Sequence, residues 1–397
     1  MNRTNAPIFL NHAGICCALG NTIDDVESAL FAEGISSPLR KSDQYSPGTI
    51  QPLGQIHSEF QTIDIADENS RNNRILAQAL RPLRDEIEQL KSRYGSDRIG
   101  VIIGTSTSGV AEGETAMQHI DGEFQLAAGY RYRTQELSAP SRFAARWLGL
   151  NGPTWSVSSA CTSGGKALAS AARLLKTGAV DAVIAGGVDS LCKMTVNGFG
   201  SLAVTSTELC LPFSQNRRGV NIGEGAAVFV VSHETGPVCL AACGETSDAH
   251  HISSPEPEGR GAEAAMRQAL AAASLTPADI AYINLHGTAT RQNDLMESLA
   301  IHRVFGEDVA CSSTKPLTGH TLAAAGAIEA AFCWLTLKRK DGRLPPHLWD
   351  GVRDPDICGM QGLGHRQLTT QPKAVMSNSF AFGGNNLSLI MTGEPRD

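Results

Sequence analysis

The stretch WSVSSACTSGGKALASAARLLKTG, residues 155–178, constrains the fold more than any other part of the chain. WSVSSA (155–160) reads as a strand end running into an abrupt turn, and CTSGGKALASAARLLKT as a helix that stops at Gly178. The first two turns of that helix are mostly Ala, Ser and Gly, so few large side chains hold neighbouring backbone away and close packing is expected. The turn lifts Cys161 into a cleft beside free N–H groups. A helix N-terminus there favours the nucleophilic thiolate. The competing reading is an inert, buried cysteine.

Further buried strands are expected at IGVIIG (99–104), VDAVIAGGVDS (180–190), NIGEGAAVFVV (221–231), AYINLHG (281–287) and VACSST (309–314). PKAVMSNSFAFGGNNLSLIM (372–391) reads as two β segments joined by a tight glycine-rich connection. Helical patterns lie between these strands, which predicts a layered α/β unit. A chain of 397 residues buries a large core, as two domains or two halves of one unit. Charged residues are 18% and the net charge is −7, so an acidic globular enzyme is expected and nucleic acid is not. Ten cysteines without pair spacing, apart from adjacent Cys16 and Cys17, point to a reducing compartment. With neither an export-type N-terminus nor an apolar run long enough to span a membrane, a cytoplasmic enzyme without a membrane span is expected.

Thr22 with Asp25 predicts a helix N-cap, and Pro82 predicts a break in NNRILAQALRPLRDEIEQLKS. EGETAMQHI (112–120) and SRFAARWLG (141–149) carry helical periods, in an insertion suited to a lid or an oligomer surface. Residues 191–220 read as loop-rich. TSTSG (105–109) has neither the lysine nor the glycine spacing of a phosphate loop, which argues against nucleotide. His250 and His251 have no third ligand nearby, so no metal site is expected.

His286 and His320 each follow a probable strand, as Cys161 does, and the repetition favours one cleft at strand ends. One cysteine with one histidine supports thiol hydrolysis or acyl transfer; a second neutral imidazole suggests hydrogen bonding to a developing enolate or carboxylate. Thr288 and Thr290 offer hydroxyls beside His286, and Asn293 and Asp294 are candidate caps for a helix starting near Leu295. Lys315 and Glu329 can meet as an ion pair through a folded turn. The glycine-containing turn after Phe380 and Phe382 presents amides suited to an oxyanion, and either ring is a candidate contact for an apolar substrate. Arg71 and Arg74, one helical turn apart, form a candidate positive patch for an acidic partner.

SSACTSGGKALASAA (158–172), LHGTATRQND (285–294), STKPLTGHTLAAAGAIEA (313–330) and NSFAFGGNN (378–386) resemble, in order, the four active-site blocks of the elongating β-ketoacyl-acyl-carrier-protein synthases of the thiolase superfamily. PFSQNRRGVNIGEGAAVFVV (212–231) resembles their central segment. The resemblance implies a thiolase fold of five αβαβα layers in two similar halves, 1–235 with the nucleophile and 236–397 with both histidines and the phenylalanine gate. It gives Cys161 the acyl nucleophile role, His286 and His320 the decarboxylation site, and Lys315 with Glu329 a supporting pair. It gives the backbone N–H groups of Cys161 and Phe382 the oxyanion hole, and Phe380, Phe382 and Thr107 the gate and acyl pocket. Thr288 and Thr290 would contact the phosphopantetheine arm that carries the substrate, and Arg71 and Arg74 would meet the acyl carrier protein. No bound cofactor is implied. A homodimer is expected, or a heterodimer with a chain-length-factor-like subunit.

The implied reaction is a decarboxylative Claisen condensation of malonyl carrier protein with an acyl chain on Cys161. Departures bear on the pathway. Ser214 and Arg218 stand where the family usually has aspartates, Ala381 replaces a glycine in the FAF gate, and IFLNHAGICCALG lacks the usual N-terminal pattern. These point to a specialised polyene, aryl-polyene or polyketide-like lipid pathway, against housekeeping fatty-acid elongation. A non-catalytic chain-length partner would lack Cys161, and a degradative thiolase would carry a second cysteine near the C-terminus, where NSFAFGGNN has none.

Overall fold

The computed structural model describes residues 6–393 apart from 66, 121–122, 128 and 340. Ten strands form one continuous sheet. They are β1 (Phe9–Cys17), β2 (Ile99–Gly104), β3 (Thr154–Val157), β4 (Ala182–Asp189), β5 (Gly225–Ser232), β6 (Val238–Ser247), β7 (Ile280–Asn284), β8 (Cys311–Ser312), β9 (Ala374–Ala381) and β10 (Asn385–Gly393). The first five run β1-β5-β4-β2-β3 across the sheet and the last five repeat that order as β6-β10-β9-β7-β8. In both sets the three outer strands are parallel and the two inner pairings antiparallel. The sets meet at β1 and β6, where Phe9 pairs with Cys239 and Leu240 donates its N–H to the Ile8 carbonyl. These are the two similar halves of a thiolase fold.

Helices α1 (Arg71–Leu80) and α2 (Ala139–Leu148) cover the outer face of the first half, and α4 (Arg260–Ala273) with α5 (Arg291–Phe305) that of the second. Between the halves lie α3 (Ser163–Lys176) and α6 (Ala325–Lys338). Residues Ala325–Leu337 of α6 are all buried, as expected of a helix apolar on every side at the centre of five layers. The small residues of α3 have the purpose their composition suggested. A Cβ on Gly164 would lie 2.7 Å from the Ala323 carbonyl oxygen, and one on Gly165 would lie 2.3 Å from Leu387 Cδ2. Only hydrogen side chains let α3 seat against α6 and β10 at that spacing.

Thr22 caps the helix Ile23–Leu30 by accepting the Asp25 N–H at 3.2 Å. Pro82 sits in the break between α1 and the helix Arg84–Tyr94. Three expectations need correction. Residues 193–201 form a helix inside the stretch read as loop. EGETAMQHI is helical only to Ala116, and Met117–Ile120 pairs as a strand with Glu123–Leu126. Asn293 and Asp294 lie within the first turn of α5, which Thr290 precedes as N-cap residue. Their side chains turn into the core: Asp294 accepts the Phe213 N–H at 2.7 Å. Among the described residues, no helix is long and apolar enough to cross a membrane.

Candidate active site

Each strand of interest ends in a turn that reverses sharply, and local backbone geometry aims the side chain beyond it. Ala160, at φ +50°, makes the elbow between β3 and α3. Its carbonyl accepts from the Ser163 N–H and hydroxyl, which holds Cys161 at the start of the helix. His286 lies two residues past β7, just before Gly287 at φ +41°, where a Cβ would come 2.4 Å from Ser313 Cβ. His320 follows Gly319 at φ +69°; its N–H donates to the Asn221 carbonyl at 2.7 Å and its carbonyl accepts from Gly223 at 3.0 Å.

These turns converge. Cys161 Sγ lies 2.9 Å from His320 Nε2, and one ligand-type atom from each of Cys161, His286 and His320 falls within 4.8 Å of the others. The imidazole rings are 5.4 Å apart in an edge-to-face arrangement. The backbone N–H of Phe382 points at the Cys161 sulfur and lowers its pKa. Thr288, Thr290, Phe380 and Phe382 line the same cavity. Thr288 and Thr290 share a hydroxyl hydrogen bond of 2.9 Å. A thiol and two imidazoles are also zinc donors, but a tetrahedral zinc holds sulfur and nitrogen roughly 3.5 Å apart. The observed 2.9 Å fits a hydrogen bond instead.

Burial reverses the expected thiolate. The Cys161 thiol is pushed up to about 12, chiefly by burial, with Glu329 and Asp189 adding to the rise and Lys315 and the Phe382 N–H opposing it. The Cys161 side chain is therefore a neutral thiol in contact with the His320 imidazole. Burial, then the Lys315 charge, hold both His286 and His320 well below the usual histidine range. The cluster is neutral at physiological pH, with His320 Nε2 placed where it can exchange a proton with the thiol.

Lys315 Nζ donates to Glu329 Oε1 at 2.6 Å, both side chains almost fully buried, so the folded turn does bring this amine and carboxylate together. Sequence reading missed three other supports. Phe199, on the helix Lys193–Ser201, stacks on Phe382 with ring centroids 5.3 Å apart and meets His320 edge-on at 6.4 Å. The lone aromatic in NGFG was its only signal, and the flanking glycines concealed the helix. Asp189 Oδ1 accepts from the N–H groups of Ser106 and Thr107 and the hydroxyls of Thr105 and Thr107, while Oδ2 accepts from Ala323, just past His320. Glu297 accepts the N–H groups of His286 and Gly287, each at 2.7 Å.

Glu297 supplies a test of stability. Burial raises its carboxyl from 4.5 to about 7, opposed by the Gly287 and His286 N–H groups. Between those values the folded chain keeps a proton that the unfolded chain has released, so stability falls as pH rises through the window. The expected loss is about 3 kcal/mol. Glu297→Gln should remove that slope from urea unfolding measured between about pH 5 and pH 8; a variant with the wild-type slope would show that the titration lies elsewhere.

The expected positive surface patch of Arg71 and Arg74 is corrected. Arg71 is not a surface charge: its guanidinium turns inward to the fully buried Glu224 and to the Ile56 carbonyl, 2.9 Å away. Arg74 is half-buried, with Nε unpartnered among the described residues. A buried guanidinium needs a carboxylate more than an acidic partner needs an arginine, which explains the inward turn. Thr107 is fully buried with its hydroxyl held by Asp189 at 2.9 Å, apart from the residues that line the cavity. Ala381 has extended backbone, φ −108° and ψ 156°, so its methyl adds bulk to the cavity wall without backbone strain.

A thiolase fold with a cysteine and two neutral histidines at one cavity defines an acyl-transferring, carbon–carbon bond-forming class of enzyme. The Beta-ketoacyl synthase N-terminal domain matches residues 70–235 and the C-terminal domain residues 238–348. A 3-oxoacyl-[acyl-carrier-protein] synthase 2 from Staphylococcus aureus is 31% identical over 402 residues, covering 95% of this chain and 98% of its own. Among solved structures, a ketosynthase in complex with its chain length factor from Xenorhabdus doucetiae is 43% identical, with 98% of both chains covered and a TM-score of 0.90. A β-ketoacyl synthase from Burkholderia phymatum STM815 is 27% identical, covering 98% of this chain and 100% of its own, with a TM-score of 0.85. The chain belongs to the β-ketoacyl synthase family. It is an enzyme of the 3-oxoacyl-[acyl-carrier-protein] synthase type, condensing substrates carried on acyl carrier protein.

Proposed function

We propose that Cys161 carries the growing acyl chain and that His286 and His320 drive decarboxylation of the malonyl unit, in a specialised polyene, aryl-polyene or polyketide-like lipid pathway. The observation that carries the assignment of roles is the 2.9 Å contact between Cys161 Sγ and His320 Nε2 with His286 alongside. As the sulfur attacks an acyl-carrier thioester, its proton passes to His320. The backbone N–H groups of Cys161 and Phe382 hold the tetrahedral oxyanion. The intermediate collapses, and the departing carrier thiolate takes the proton. In the second stage the two neutral imidazoles donate to the malonyl thioester oxygen. Loss of carbon dioxide leaves an enolate on that oxygen, whose carbon attacks the acyl-Cys161 carbonyl and expels the Cys161 thiolate, which takes a proton from solvent to restore the resting thiol. The Phe199–Phe382 stack closes the wall against water, and Thr288 with Thr290 grips the pantetheine arm.

The specialised pathway is supported by the Ala381 methyl in the cavity wall and by Ser214 and Arg218 in place of the family's aspartates. Loading the enzyme with saturated, polyunsaturated and aryl acyl carrier proteins, then weighing intact protein and product, tests it. Preference for unsaturated or aryl chains is expected; equal or better use of saturated chains would favour housekeeping elongation.

The division near residue 235, between β5 and β6, separates the half holding Cys161 from the half holding both histidines. Thr154–Val157 is an edge strand, and Phe124, Leu126 and Tyr132 stand exposed on the insertion after β2. A second subunit, identical or chain-length-factor-like, would cover both features.

A further inference from the structure

We propose that Glu114 is a positioning residue: by holding the first backbone amides of the helix Lys193–Ser201, it keeps Phe199 stacked on Phe382 and so keeps water from the acyl chain on Cys161. The proposal rests on the reading above that Cys161 carries that chain, and adds what holds the wall beside it.

The helix Lys193–Ser201 has little of its own to hold it. Its N-cap residue, Cys192, makes no side-chain hydrogen bond to a helix amide, and its first turn has no acidic residue. Gly198 and Gly200 fall in its second half, and glycine is the least favourable helix residue after proline. Packing demands neither of them: a Cβ on Gly198 would meet nothing within 4 Å, and one on Gly200 would reach only Thr205 Oγ1 at 3.9 Å. Of the nine residues Val196 alone is buried, and Asn197 Nδ2 ties the helix to the Tyr45 carbonyl at 2.8 Å.

The missing cap comes from far upstream. Glu114 Oε2 accepts the Lys193 N–H at 2.8 Å and Oε1 the Met194 N–H at 2.6 Å. Two amides that the helix itself leaves unpaired thus meet a full negative charge at the positive end of the helix dipole. The mount is firm. Glu114 stands on the short helix Val110–Ala116, where Glu112 accepts the Arg71 N–H at 2.6 Å and braces the segment against α1, seven of whose ten residues are buried. The chain entering the capped helix is fixed too, by the Leu191 N–H on Glu224 at 3.1 Å. From the capped end to Phe199 is roughly 9 Å along the helix, and that ring stacks on Phe382 and meets His320 edge-on. A helix so lightly held opens locally more often than the core around it, and each opening uncovers the cavity wall. Water that enters can attack the acyl-Cys161 carbonyl; the carbon–sulfur bond breaks, the sulfur takes the proton from water and the chain leaves as a carboxylic acid.

The test loads the enzyme from an acyl carrier protein, removes the carrier, withholds malonyl carrier protein and follows loss of the acyl adduct by intact-protein mass. Glu114→Ala should lose its adduct about five- to tenfold faster than wild type, the rise in open helix that losing such a cap produces. Glu114→Gln, which keeps one acceptor oxygen, should fall between. Gly198→Ala with Gly200→Ala, added to Glu114→Ala, should slow the loss again by stiffening the helix. In a Phe199→Ala background, where the ring is already gone, Glu114→Ala should add less than about twofold. A Glu114→Ala adduct lasting within about twofold of wild type would overturn the proposal, as would full additivity with Phe199→Ala or glycine replacements that left the loss unchanged. A wild-type enzyme that formed no adduct on Cys161 would remove the ketosynthase reading and this proposal with it.

Discussion

Cys161→Ala is expected to abolish acyl loading and to lower condensation by about 10⁴-fold or more, because Cys161 carries the only thiol among the described residues that line the cavity. Intact-protein mass measurement would show no acyl adduct. Decarboxylation of malonyl carrier protein should persist in this variant, since the backbone of each histidine is held independently of the sulfur. His320 is pinned by the Asn221 carbonyl and the Gly223 N–H, and His286 by the Glu297 carboxylate. His320→Ala should instead depress both stages, as the proposed mechanism has one ring serve the thiol proton and the enolate oxygen. Condensation by Cys161→Ala within about tenfold of wild type would remove Cys161 from the role of nucleophile.

Lys315→Met should destabilise the protein by about 3 to 5 kcal/mol, because it leaves the Glu329 carboxyl buried without its ammonium partner. Both side chains are 4% exposed or less, so water offers little compensation. The same ammonium helps to hold His286 and His320 neutral and pulls down the Cys161 thiol against burial. Its loss should therefore also slow acyl loading beyond what weaker folding explains. Lys315→Met with Glu329→Leu should regain most of the stability, since a dry apolar pair replaces a dry ion pair, yet loading should stay slow. Urea unfolding and single-turnover loading separate these effects. A single variant within about 1 kcal/mol of wild type would show that the pair is hydrated and weakly coupled to the fold.

The three residues that the structure gathers at one cavity were legible in the chain because each stands where a run of buried β residues gives way to glycine and small polar side chains. Cys161, His286 and His320 are local features of that kind, and so is the small-residue face of α3. Arg71 was misread for the opposite reason. Its spacing from Arg74 suits a surface patch, and nothing nearby in sequence reveals Glu224, 153 residues on, as its partner. Phe199 and Asp189 were missed likewise, since their contacts are made with distant segments.

Local sequence by itself determined most of the core strands, though not β6, together with the reversing turns that end them and the chemical groups those turns present, because alternation, glycine and helix-capping act over a few residues. Only the tertiary structure decided the protonation of those groups and the partner each charge would take. A thiol at a helix start is expected to ionise; enclosed by five layers it keeps its proton, because desolvation outweighs the nearby lysine and amide. That balance depends on what surrounds the sulfur in space, which a linear chain does not display.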